Sequence, residues 1–150
     1  MEEKLMAAKE VLEVLDEMRN AYNSGNFDFS KWHPLPLLII EDSGHQTIGD
    51  SVLLERVFET LVNCSRYLDL SHTDYSLQSL QVMSDKVAVT KVRWDFSNNQ
   101  KKTELILEIG HIMQKQDNGW KITALLQPLW REPWRERQDI KRMDKGGDGL

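Results

Sequence analysis

The chain has 150 residues, 40% of them hydrophobic and 29% charged, with a net charge of -5 at pH 7. That length and balance suit one globular domain with a single buried core, not a disordered or fibrous chain. The acidic balance excludes a general nucleic-acid binder, which needs a basic excess to meet phosphates, and one cysteine, Cys64, gives neither an internal disulfide nor a metal cluster.

The opening stretch MEEKLMAAKEVLEVLDEMRN is acidic and broken by charge every few residues, unlike a signal peptide. No window approaches the run of ~20 apolar residues that a membrane helix needs. A cytoplasmic protein with no membrane association is the expectation, and a lone thiol fits that reducing compartment. Leu5, Ala8, Leu12, Leu15 and Tyr22, widened by Val11, Val14 and Met18, recur at helical spacing, with Lys9, Glu10, Glu13 and Glu17 opposite them. The spacing predicts an amphipathic helix over 2–22, stopped by Asn23-Ser24-Gly25-Asn26, residue types that accept the left-handed backbone of a helix end.

A short helical turn is expected over 27–32, closed by His33-Pro34-Leu35-Pro36, where the prolines hold the preceding residues extended. LLIIE (37–41) then reads as a short buried strand and Ser43-Gly44 as a turn. Beyond Gly49, Asp50 or Ser51 can cap a helix over 51–62 that carries Leu53, Leu54, Val57, Phe58 and Leu61 on one face. From about Tyr67 the pattern turns to strands: YSLQSLQVM, KVAVTKVRWDF, KTELILEIGHIMQKQ and WKITALLQ. The connections are too short for crossovers, so these strands form an antiparallel meander. Helices first and a meander afterwards is the α+β pattern. The core domain is expected over 1–130. Residues 131–150 are expected to be a helical extension and tail: Trp130, just before it, and Trp134 are read as one helical turn apart, Pro133 suits a first helical turn, WRERQDIKRM continues as helix, and GGDGL is disordered.

The order of these pieces resembles the nuclear-transport-factor-2-like superfamily, the cystatin-like cone fold shared by ketosteroid isomerases and SnoaL-like cyclases. The resemblance spans 5–128 and rests on the first helix ending in NSGNFDF, the His-Pro before LLIIE, the GHQTIGD lead into the next helix, and the final DNGWKI hairpin. It implies N-terminal helices packed in the concave face of a strongly curved antiparallel sheet, a blind pocket at the wide end of the cone, and frequently a homodimer through the outer sheet face.

Strand alternation assigns side chains to that pocket. Leu105, Leu107, Ile109, His111 and Met113 share one face of their strand; Ala88, Thr90, Val92, Trp94 and Phe96 share the facing side of the strand before it. The expected ligand site is Trp94, Leu107, Ile109, His111 and Leu125 or Gln127, closed by Tyr22 and Trp32, with Tyr75 reaching inward or pairing across strands. His111 is the one catalytic candidate, because an imidazole with an ordinary pKa near ~6.5 is readily tuned for proton transfer; the alternative is a buried histidine hydrogen-bonded to a neighbour. Against catalysis, the positions that match the isomerase tyrosine and general base hold Met18 and Leu35, and the cyclase acid is matched by Gln127, none of which exchanges a proton. Glu41 and Asp42 are rim candidates, His72 and Asp74 fit a metal site only loosely, and His33 and His45 are loop residues without an evident partner.

Three readings follow: a protein that binds a small, largely apolar molecule without catalysis; an isomerase, dehydratase or cyclase using His111 with Tyr75 or Asp42; and a dimerisation or adaptor module with a filled interior. No cofactor and no metal are expected. Trp130 and Trp134, beside Arg131 and Arg135, are the candidate partner contacts.

Overall fold

The structure, a computed structural model, describes residues 2–138. Helix α1 spans Glu2–Asn23 and α2 spans Phe29–Trp32; strands β1 (Leu37–Glu41) and β2 (Gly44–Ile48) form a hairpin. Helices α3 (Ser51–Val57) and α4 (Glu59–Tyr67) lead into β3 (His72–Val82), β4 (Val87–Ser97), β5 (Thr103–Gln116) and β6 (Gly119–Arg131). Residues 133–138 are helical, with Pro133 at the first position as its missing N–H favours. The expected helix beyond 138 and the GGDGL tail lie outside the described residues. None of the described helices is long and apolar enough to cross a membrane.

The six strands form one sheet in the order β2-β1-β6-β5-β4-β3. The meander β3 to β6 is antiparallel as expected, but β1 lies parallel to β6, pairing Leu38, Ile39 and Ile40 with Ala124, Leu125 and Leu126. The sheet is therefore mixed. The register slips at Leu77/Ser79, Phe96/Ser97, Glu108/Gly110 and Ile112/Met113. Each slip adds local bend and twist, and together they curl the sheet around the helices.

Alternation decides what faces inward. Ala88, Thr90, Val92, Trp94 and Phe96 of β4 and Leu105, Leu107, Ile109, His111 and Met113 of β5 are all buried, and α1 packs over them. The buried stripe of α1 is Ala7, Val11, Leu15 and Met18, with Leu5 exposed. The helix is thus rotated from the expected Leu5–Leu12 centre, because positions 11, 15 and 18 carry bulk onto one line. Its end is a Schellman stop: the N–H of Asn26 bonds to the carbonyl of Ala21 at 2.9 Å and that of Gly25 to Tyr22 at 3.1 Å, with Gly25 at a φ of 78°.

Polar pins fix α1 on the sheet. The Asn23 side chain accepts from the N–H of Thr73 at 2.7 Å and donates to its carbonyl at 3.1 Å, pairing with the edge strand as another backbone would. At the other end Trp120 Nε1 donates to Glu10 at 2.7 Å and Lys115 adds its charge at 3.0 Å, which holds the Glu10 carboxyl below its ordinary value. Glu104 is buried, and Arg137 Nη2 donates to both its carboxylate oxygens at 2.8 Å.

Candidate functional site

Two helices' worth of aromatic rings meet the inner sheet face and leave a small cavity between them. Its floor is Trp94 and Phe96 of β4, Leu107, Ile109 and His111 of β5, and Leu125 of β6. Its walls are Met18 and Tyr22 of α1, Phe27, Phe29 and His33 around α2, Phe58 and Leu61 of the α3–α4 pair, and Thr73. The rings interlock: Phe29 stacks on Phe58 at 4.0 Å between centroids, and Tyr22 meets Phe96 edge-on at 5.1 Å. The free volume is about 40 Å³, room for about three water molecules and well short of the ~300 Å³ of a typical ligand pocket.

Two histidines are the titratable heart of this apolar space. His33 is 2% exposed; its Nδ1 donates to the carbonyl of Phe29 at 2.8 Å, one helical turn back. That bond fixes the tautomer, so in the neutral ring Nε2 is an acceptor. His111 is likewise 2% exposed, with Nδ1 3.2 Å from the Thr90 hydroxyl. Where the hydroxyl donates to the ring, His111 Nε2 carries the proton and is a donor; where it accepts, Nε2 is an acceptor. Neither Nε2 has a protein partner among the described residues. Burial pushes the pKa of His33 down to about 4. Burial, and then repulsion from His33, push that of His111 down to about 3. Both rings are neutral at pH 7. No Asp, Glu, Lys or Arg lines the cavity among the described residues.

Of the residues expected at the ligand site, Tyr22, Trp94, Leu107, Ile109, His111 and Leu125 line this cavity. Three do not. Trp32 is buried but set behind Phe27, on which it stacks at 5.1 Å. Tyr75 packs its ring on Trp94 at 5.3 Å and gives its hydroxyl to Asp16 of α1 at 2.5 Å, which, after burial, helps push its pKa up to about 12. Gln127 is exposed, because the bulge opposite Ile109 puts it at a φ of 48° and turns its side chain to the N–H of Asp42 at 3.1 Å. Neither Tyr75 nor Asp42 therefore supports His111. Among the matched isomerase positions, Met18 lines the cavity and Leu35 is 39% exposed.

The site expected from the sequence left out His33 and the four rings Phe27, Phe29, Phe58 and Phe96, besides Met18, Leu61 and Thr73. The Phe29-to-His33 spacing of one helical turn was the available signal.

A second hollow, of about 190 Å³, lies beside the first and shares Phe58, Leu107, Ile109 and Leu125 with it; Glu41, Gln46, Pro128 and Trp130 are among its other walls. Trp130 is in β6, paired with Leu107, not one helical turn from Trp134. The strand simply continues past the bulge. Trp134 instead borders a separate cleft with Cys64, Tyr67 and Arg135, where its Nε1 is buried without a partner among the described residues. The two tryptophans thus form no common patch. Among the described residues, no group of three or more His, Cys, Asp or Glu is placed to hold a metal ion.

A family model described as "NTF2-like protein (DUF6841)" matches residues 9–128. No curated protein matches the chain. Among solved structures, an NTF2-like protein of unknown function from Shewanella oneidensis superposes with a TM-score of 0.55 at 18% identity, covering 79% of this chain and 96% of that one. A domain of unknown function with a cystatin-like fold from Nostoc punctiforme gives 0.54 at 14% identity, covering 91% and 85%. An NTF2-like protein of unknown function from Shewanella baltica gives 0.54 at 9% identity, covering 85% and 95%.

Proposed function

The chain belongs to the NTF2-like family DUF6841, and from that fold and the lining of its cavity we propose that it binds a small, largely apolar molecule carrying one hydrogen-bonding group, without transforming it. The observation that carries this reading is the pair of imidazoles lining an otherwise apolar hollow, each bonded to the protein through Nδ1 alone among the described residues. A ring nitrogen left open on such a cavity is free to bond to whatever occupies it. A hydroxyl group suits both rings, donating to the His33 acceptor and accepting from His111 Nε2 in the tautomer in which Thr90 donates to Nδ1.

The same features disfavour catalysis. A general acid or base works best with a pKa near the operating pH, and both rings titrate far below it. Stabilising a developing oxyanion needs charge or preorganised donors, and the lining supplies no charged side chain.

The test is titration with propanol, followed by amide chemical shifts of the whole protein. Saturable shifts at Thr90, Trp94 and His111 are expected. Replacing the imidazole by His111→Leu keeps the site apolar and should weaken propanol by about fivefold, the worth of one hydrogen bond. Shifts confined to surface residues, or equal binding by the variant, would overturn the reading.

A further inference from the structure

The inner cavity and the neighbouring groove share four lining residues. Phe58 lines both, and so do Leu107, Ile109 and Leu125, which run as a continuous apolar floor beneath it. Neither space, about 40 Å³ and about 190 Å³, reaches the ~300 Å³ of a usual ligand site. Of the four shared residues only Phe58 comes from the helices, the others from β5 and β6, so its ring is the one whose displacement would open one space to the other.

The backbone at this point is built as a joint. Phe58 ends α3 and begins α4, with φ -102° and ψ 12°, and no side chain caps the new helix. Its N–H bonds to the carbonyl of Glu55 at 3.2 Å, a tight turn that interrupts the helical ladder. What holds the ring is contact alone: the stack on Phe29 at 4.0 Å and a tilted approach to His33 at 5.0 Å. Ring contacts of this kind are weak individually and lack a hydrogen bond to break.

The two ends of the joined space differ in chemistry. The inner end presents the histidine pair. The outer end presents Gln46 and the Glu41 carboxylate, which is exposed and forms no ion pair among the described residues; no Lys or Arg lines the groove. From these observations we infer that cavity and groove are two chambers of one binding site divided by Phe58, which takes an elongated apolar molecule with a hydroxyl at its inner end and a cationic group at its outer end. This rests on the reading of the inner cavity as a binding site and extends it by naming the shape and polarity of the occupant.

The probes are propanol, octanol, and aminooctanol bearing its amine at the far end, titrated into the whole protein and followed by amide chemical shifts. Each added methylene that becomes buried tightens binding about fourfold. Octanol is therefore expected to bind at least ~10-fold tighter than propanol, and to shift Glu41, Gln46 and Trp130 as well as His111. Phe58→Leu, which shortens the partition, should raise the preference for octanol over propanol about threefold, by lowering the cost of displacing it. On the surface, where folding is not at risk, Glu41→Gln should cut the preference for aminooctanol over octanol about threefold, the scale of an exposed charge pair.

The outcomes separate the two claims. Propanol binding with octanol no tighter, or octanol shifts confined to the inner chamber, overturns the joined site and leaves the inner site standing. No saturable shift with any of the alcohols overturns both. An aminooctanol preference that survives Glu41→Gln overturns the polarity assigned to the outer end.

Discussion

Thr90 of β4 and His111 of β5 stand directly opposite each other in the sheet, with the threonine hydroxyl 3.2 Å from imidazole Nδ1. Both are nearly sealed from solvent, at 1% and 2% exposure. Among the described residues the hydroxyl is the one side-chain partner of this ring, and it holds the imidazole in place at Nδ1. Thr90→Val keeps the shape and removes the bond. It should cost about 1–3 kcal/mol, the penalty for a buried polar atom left unpaired, read as a lower urea midpoint with an unchanged slope. A midpoint that does not move would mean that the imidazole is satisfied elsewhere.

The same burial makes stability depend on pH in a predictable direction. Both histidines have folded pKa values pushed down, to about 4 for His33 and about 3 for His111, while the unfolded chain titrates near ~6.5. As pH falls below that value the unfolded state takes up protons that the folded state refuses, so stability present at neutral pH is lost on acidification. Two such groups cost on the order of 3 kcal/mol between pH 7 and pH 5. The carboxyls of Glu10 and Asp28 are lowered instead, and their contribution fades below that window, as pH falls through the carboxylate range. Replacing one histidine, His111→Asn, should remove roughly half of the slope between pH 7 and pH 5. Thermal melts across this range check it; a flat profile in the parent protein would show that the rings titrate freely.

How much of this was legible in advance follows from which forces are local. The alternation along 86–97 and 104–114 reported the inner face correctly, because a two-residue period has only two answers. LLIIE was a strand as read, but its parallel partner β6 lies over 80 residues on in sequence, and no short-range pattern encodes such a pairing. Gln127 was taken for an inward residue because alternation was carried through the bulge that reverses it. The helix over 51–62 was continuous in its apolar spacing, yet breaks at Phe58 so that the ring can reach Phe29. His33 was hidden for the same reason. Its burial comes from rings that approach from α2 and the α3–α4 joint, and a histidine before a proline looks like an ordinary loop residue.

Gly110 tests the outer side of that bulge. A Cβ built there would lie 2.9 Å from Cβ of Leu126 on the paired strand, closer than real contacts allow. The neighbour is the root of a side chain and moves only with its backbone. Gly110→Ala should therefore destabilise the protein by about 1–3 kcal/mol through overpacking, visible in chemical denaturation. A neutral or stabilising result would mean that β6 shifts freely at this point.

Asn23 gives a sharper test of how α1 is seated. Its side chain alone pairs with both the N–H and the carbonyl of Thr73 on the edge strand, and Thr73 is 1% exposed. Asn23→Ala leaves two backbone groups without partners and should cost about 2 kcal/mol. Asn23→Asp keeps the acceptor and loses the donor, so it should fall between the two. Hydrogen exchange should show the Thr73 amide losing protection first. Equal protection in the alanine variant would mean that water replaces the side chain without penalty.

Tyr75 separates a wall residue from a strut. Its hydroxyl reaches Asp16 of α1 at 2.5 Å, Arg19 lies over its ring at 5.6 Å, and its ring packs against Trp94 at 5.3 Å. It therefore ties α1 to β3 without lining the cavity that Trp94 faces. Tyr75→Phe removes only the hydroxyl. Because Asp16 is half exposed, with a side-chain exposure of 46%, the loss should be modest, about 0.5–1 kcal/mol in stability. Propanol affinity should stay within twofold of the parent, whereas His111→Leu weakens it. If the phenylalanine variant instead loses propanol affinity as strongly as His111→Leu while keeping its stability, then the hydroxyl acts in the cavity and the strut assignment is wrong.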